Sequence, residues 1–216
     1  RQWASRYYHG FHGAEDEHYK DLSLIKKTGA TVANLHHSKT ANPILNYPYS
    51  SMSIDLLKEC AQKAHDQGLL FKVYYTTREI TQLMKELWPF FSLDGEIVFP
   101  GPGKESRTLT NPEGPHPWLT ENLRENFIPA WHEELAGRYK GLLDLTVITT
   151  PDSRLDNFFL EGLSYLVDYV GIDGLYIDDT ALGRKGFQRA RRILEQKRPD
   201  VRIDMHSWDH LNKSAG

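Results

Sequence analysis

Two adjacent carboxylates, Asp178 and Asp179, close the segment Gly171-Ile172-Asp173-Gly174-Leu175-Tyr176-Ile177-Asp178-Asp179-Thr180. Two like charges that close cannot both ionise cheaply, so one carboxyl is expected to keep its proton to higher pH than the other. A pair split in this way supplies an acid and a base at neutral pH. The bland alternative is that Asp179 caps the following helix, or that the pair holds a nearby arginine. Other polar residues gather at the ends of apolar runs: His9 and His12; Asn34, His36 and His37; Tyr74, Arg78 and Glu79; His206 and Trp208.

The elements that position these residues recur as a unit. An amphipathic helix ends at a glycine, a short β-rich run follows, and polar residues close it. Residues 16–28 read as a helix capped by Gly29, followed by a strand over 30–35. Ser53 starts a helix to Gln67, Gly68 ends it, and 69–75 is the next strand. Leu155, Phe158, Phe159, Leu163, Leu166, Val167 and Val170 form a 3.6-residue stripe broken at Gly171, and 174–178 is a strand. A helix over about 184–197 leads into a strand over 201–206, and the first strand is expected over 6–12. Residues 144–149 suggest one further strand whose place in the sheet is open. Alternating strands and helices predict an α/β fold with a parallel sheet. Both a doubly wound sheet and a barrel satisfy the pattern, but no glycine-rich phosphate loop follows any strand, and this favours the barrel. The expectation is one (β/α)8 TIM-type barrel domain over 1–216, incomplete with about five to six βα units. It carries an irregular Gly/Pro-rich insertion at about 92–117. Later strands would belong to the rest of a larger polypeptide.

Within the strand 174–178, alternation sets Tyr176 and Asp178 on one face and Ile177 on the other. With Leu175 and Ile177 packed on helices, Asp178 is expected at the barrel mouth. Asn34 and His36 share a face by the same rule. Cys60 falls in the apolar stripe of its helix and reads as a small core residue.

Composition narrows the partners. The net charge of -3 argues against nucleic acid, and no apolar run is long enough to span a membrane. Five Trp and 11 Tyr lean toward a carbohydrate partner, because aromatic rings pack on the C–H faces of sugars. Trp208 and Trp118 are candidate platforms, each also a candidate for core packing.

The block Ser153-Arg154-Leu155-Asp156-Asn157-Phe158-Phe159-Leu160-Glu161-Gly162-Leu163, running into Gly171–Asp179, resembles a barrel glycosidase. In several such families a helix with an early arginine precedes a G-[IV]-D-G-[FLI]-x-[IL]-D strand whose terminal aspartate is catalytic. Together with His36-His37-Ser38-Lys39-Thr40-Ala41-Asn42-Pro43 and residues 118–131, the chain is similar to a bacterial group of glycoside hydrolases related in pattern to glycoside hydrolase family 123. That family uses an adjacent Asp-Glu pair with the substrate acetamido group as nucleophile; here the second acid is Asp179, one methylene shorter. The resemblance implies a glycosidase acting on a complex glycan without cofactor or metal. Asp178 would orient an acetamido group and Asp179 would protonate the leaving oxygen. In a conventional retaining enzyme Asp178 would instead be the nucleophile. Asn34, His36, His37, Tyr74, Arg78, Glu79, Arg154, Tyr176, His206 and Trp208 would bind substrate. A periplasmic or secreted location is expected, with the cytoplasm as the alternative.

Two rival readings remain at this level. The strand-end histidines with Asp178 could bind a metal in a hydrolase or deacetylase. Against this, the His9 and His12 spacing sets the two rings on opposite strand faces, and no HExxH motif is present. A non-catalytic carbohydrate-binding barrel is the other.

Overall fold

The structure is a computed structural model that describes residues 7–11, 19–35, 48–49, 54–77, 79–93, 96–97, 117–122, 132–135, 139–146, 152–178 and 182–206. In chain order the elements are β1 (Tyr7–Phe11), α1 (Tyr19–Lys27), β2 (Val32–Leu35), α2 (Ile54–Asp66), β3 (Leu70–Tyr74), β4 (Glu79–Thr81), α3 (Leu87–Ser92), α4 (Pro117–Asn122), β5 (His132–Glu134), β6 (Leu143–Thr146), α5 (Arg154–Tyr165), β7 (Gly174–Asp178), α6 (Arg184–Lys197) and β8 (Arg202–His206). A π-helical turn, Leu166–Val170, prolongs α5.

Three helices hand over to strands through a left-handed glycine, as the sequence predicts. Gly29, Gly68 and Gly171 have φ of 83°, 66° and 84°, a conformation that strains residues with a Cβ. The Gly171 N–H reaches back to Leu166 O at 3.0 Å and closes the wide turn. At the other end of α5, Ser153 caps the helix by accepting the Leu155 N–H.

Five strands form one parallel sheet in the order β1-β2-β3-β7-β8. The order never reverses, so the chain winds in one direction. Ala33 and Leu35 of β2, Phe71 and Val73 of β3, and Leu175 and Ile177 of β7 share one face and one buried apolar cluster. Leu22 and Ile25 of α1, Leu57, Cys60, Ala61 and Ala64 of α2, Phe159 and Leu163 of α5, and Leu194 of α6 complete that cluster. All four crossover helices therefore pack on the same face. A doubly wound sheet divides its helices between two faces, whereas a barrel keeps them all outside. This resolves the ambiguity of the sequence pattern in favour of the barrel.

Between β3 and α5 the βα alternation is interrupted. Strands β4, β6 and β5 form a separate antiparallel sheet, in that order. Glu79 pairs with Thr146, and Glu134 with Leu143. Ile80, Met84, Leu87, Ile97, Leu143 and Leu145 form its own apolar cluster, and Leu155 and Phe158 of α5 tie it to the barrel helices. The strand suggested over 144–149 corresponds to β6, Leu143–Thr146, in the antiparallel sheet, with 147–149 outside the described residues. Most of 92–117 lies outside the described residues.

Candidate active site

The face of the parallel sheet opposite the helices carries polar side chains. Strand register arranges them in rows. Asn34, Lys72, Gly174 and Arg202 form the first row, and Tyr74, Tyr176 and Asp204 the second. The backbone positions of Asp178 and His206, paired in register, close the C-terminal ends of β7 and β8 one row beyond. In a parallel α/β fold this is the end where loops build the active site.

Lys72 is fully buried, and its ammonium is paired with the Asp204 carboxylate two strands away. The lysine must cross β7 to get there. Gly174, its register partner on that strand, puts no side chain in the way. Gly174 also admits a close approach of β8, since a Cβ there would lie 1.9 Å from Arg202 O. Burial pushes the Lys72 pKa down, and the Asp204 carboxylate opposes that shift. One row further along, the Tyr74 hydroxyl donates to Glu79 Oε2 at 2.5 Å, and both residues are buried. The Tyr74 ring also leans on Tyr176, with centroids 5.5 Å apart. Just beyond β3, the Thr77 hydroxyl is buried and has no hydrogen-bond partner among the described residues.

Of the residues singled out in the sequence, the structure thus brings Asn34, Tyr74 and Tyr176 onto one face of one sheet, while Asp178 and His206 are placed by backbone register alone, their side chains lying outside those described. Glu79 joins them from β4 through Tyr74. Arg154 sits elsewhere: it begins α5, is 65 % exposed, and its Nε lies 2.8 Å from Glu96 Oε1. Trp118 packs on the second apolar cluster beside the exposed Trp88, with ring centroids 6.1 Å apart. His36, His37, Arg78, Asp179 and Trp208 lie outside the described residues, as do His12 and the side chain of His9. Among the described residues no group of three His, Cys, Asp or Glu side chains is arranged to hold a metal.

Sequence reasoning missed Lys72, Arg202 and Asp204. A signal was present. Arg202, Asp204 and His206 alternate with Val201, Ile203 and Met205, which marks a strand with one polar face. A lysine inside Leu69-Leu70-Phe71-Lys72-Val73-Tyr74-Tyr75 needs a buried partner. The segment Gly171–Asp179 also divides into two roles. Asp173 stands at the N-terminal end of β7, where its carboxylate accepts the Phe71 N–H at 2.8 Å and lies 2.7 Å from His65 Nε2. It is a structural staple at the end of the strand remote from Asp178.

Comparison with solved structures returns carbohydrate enzymes at low identity. An α-amylase from Anoxybacillus is 13 % identical with a TM-score of 0.52, over 88 % of this chain and 39 % of its own. A cycloisomaltooligosaccharide glucanotransferase from Paenibacillus, complexed with cycloisomaltoheptaose, is 11 % identical with a TM-score of 0.52, over 94 % and 30 %. The pneumococcal glycogen-degrading virulence factor SpuA is 11 % identical with a TM-score of 0.53, over 92 % and 21 %. These likenesses establish the fold, and the chain spans well under half the length of each. No curated protein sequence matches the chain. The family described as glycoside hydrolase 123, TIM-barrel domain, matches residues 1–216. The chain belongs to the glycoside hydrolase 123 TIM-barrel domain family.

Proposed function

We propose that the protein is a glycosidase that cleaves a glycosidic bond in a complex glycan, with Asp178 as the central carboxylate. The observation that carries this reading is the position of Asp178. It ends β7, beyond two rows of polar residues on the inner face, in a chain of a glycoside hydrolase barrel family. Tyr74, Glu79, Tyr176 and Asn34 line the same face or adjoin it, and supply polar groups to meet sugar hydroxyls.

On an N-acetylhexosamine the acetamido oxygen attacks the anomeric carbon while the bond to the leaving oxygen breaks. Asp178, ionised, orients the acetamido N–H, and Asp179 gives its proton to the leaving oxygen. Water then opens the cyclic intermediate and returns the proton to Asp179. In the retaining alternative Asp178 itself attacks, so in both routes it must be a carboxylate. A polymeric glycan does not cross a membrane, which favours periplasmic or secreted action, and the rest of a larger polypeptide would complete the barrel.

The test is reducing-sugar release from a glycan panel by the complete polypeptide, with and without Asp178→Asn. The expected result is release by the wild type and a loss of about a thousandfold or more in the variant. Release that survives the substitution refutes the assignment of Asp178. Equal turnover of N-acetylated and non-acetylated aryl glycosides refutes the acetamido route.

A further inference from the structure

The buried Lys72 reaches from the first row to Asp204 in the second, one register row below the backbone positions of Asp178 and His206. Nothing in the acid/base scheme uses it. A buried ion pair contributes little net stability compared with apolar residues of the same volume. Its charges, however, act on a neighbouring carboxylate through protein rather than through water.

Building on the reading of Asp178 as the reacting carboxylate, we propose that Lys72 is a positioning residue whose ammonium neutralises Asp204 and so keeps that neighbouring carboxylate from disfavouring the ionised form of Asp178. Asp204 holds that ammonium in place and offsets its charge. The geometry sets the scale. Adjacent strands lie about 4.8 Å apart and two residues rise about 6.6 Å, so Asp204 and Asp178 have Cα atoms roughly 8 Å apart. A unit charge at that range, at an effective dielectric constant of about 20, moves a carboxyl by about 1.5 pH units. The other charged and titratable groups of this face among the described residues are Tyr74 of β3, Tyr176 of β7, Arg202 and His206 of β8, and Glu79 of β4. Arg202 donates to the carbonyls of Asp200 and Val201 at 2.7 and 3.0 Å, and its positive charge also acts on Lys72, lowering its pKa. The Tyr74 hydroxyl donates to the Glu79 carboxylate. Lys72 is a cation of this face paired with a carboxylate of the same face.

Three variants of the complete polypeptide test this by the acidic limb of kcat/KM against pH, which reports the free-enzyme carboxylate. Lys72→Met leaves Asp204 negative and is expected to raise the limb by about 1.5 units. Asp204→Asn leaves the ammonium uncompensated and is expected to lower it, because even a buried lysine is protonated below about pH 5. The double variant removes both charges and is expected to return the limb near its wild-type position. It also stands in if a single variant does not fold. A purely structural pair would lower the melting temperature in all three without this ordered, opposite-signed shift. An unmoved limb, or two single shifts of the same sign, overturns the inference. Asp178→Asn in the same series separates the two readings. If it is inactive while the limb is unmoved, only the role of Lys72 fails. If it is active, the role of Asp178 fails and that of Lys72 falls with it.

Discussion

The two acids at opposite ends of β7 should fail in opposite ways when removed. Asp173→Ala deletes a carboxylate that is 5 % exposed, the acceptor of the Phe71 N–H at 2.8 Å and the neighbour of His65 Nε2 at 2.7 Å. A hydrogen bond to a charged acceptor contributes about 1.5–3 kcal/mol, and a buried N–H stripped of its acceptor costs about 1–3 kcal/mol. These describe largely the same loss, so the expected destabilisation is about 3 kcal/mol. For a domain of this size that corresponds to a fall in melting temperature of roughly 6–12 °C. Asp173→Asn retains an oxygen for the Phe71 N–H and loses only the charge, so about 1 kcal/mol is expected. Asp173 and Asp178 are five residues apart along extended chain, about 16 Å. The kcat/KM of folded Asp173→Ala should thus stay within about twofold of wild type, whereas Asp178→Asn should melt near wild type and be inactive. Thermal melting by circular dichroism, paired with glycosidase assays well below the melting point, gives both readouts. A melting temperature for Asp173→Ala within about 2 °C of wild type refutes the staple. A large activity loss in the folded protein refutes the division of roles.

Gly174→Ala should be among the most damaging small substitutions, since the new methyl group would lie 1.9 Å from Arg202 O and force β7 and β8 apart. A loss of several kcal/mol, or no folded protein, is expected on denaturant titration. Asp156 is buried in the first turn of α5, and its Oδ2 accepts the Asp152 N–H at 2.9 Å. Burial raises its pKa above the ordinary carboxylate value, with a smaller opposing effect from that hydrogen bond. The folded state thus binds this proton more tightly than the unfolded chain. Its contribution to stability falls as pH rises from about 3.8 through the raised value. Urea titrations across that window should show Asp156→Asn losing this decline, and a variant with the wild-type slope would sink the assignment.

Much of the barrel was legible because its signals are local. Gly29, Gly68 and Gly171 announced three helix ends, and the boundaries of α6 follow from its apolar stripe and from Pro199. The antiparallel sheet was not legible. β4 and β5 are three residues each, too short for alternation to register. Their partner β6 is more than sixty residues from β4, a pairing that no local pattern encodes. The site divides similarly. Asp178 was legible because a carboxylate ending an apolar run needs a reason. Lys72 was not, because its reason lies on Asp204, 132 residues away. Asp173 reads in sequence like another member of an acidic motif. Only the Phe71 N–H and the His65 ring show that it serves the fold.

The π-helical turn at Leu166–Val170 has a consequence for comparing relatives. A wide turn accommodates one residue more than an α-helix of the same span. Here the extra residue is absorbed between α5 and Gly171, with Leu166, Val167 and Val170 buried and Asp168 and Tyr169 outside. The helix can therefore change its residue count while its two ends, the Ser153 cap and the strand that begins at Gly174, stay where they are. In an alignment of homologues, a single-residue gap at 166–170 marks a difference in helical winding alone. It should not be read as a shift in the frame of Asp178.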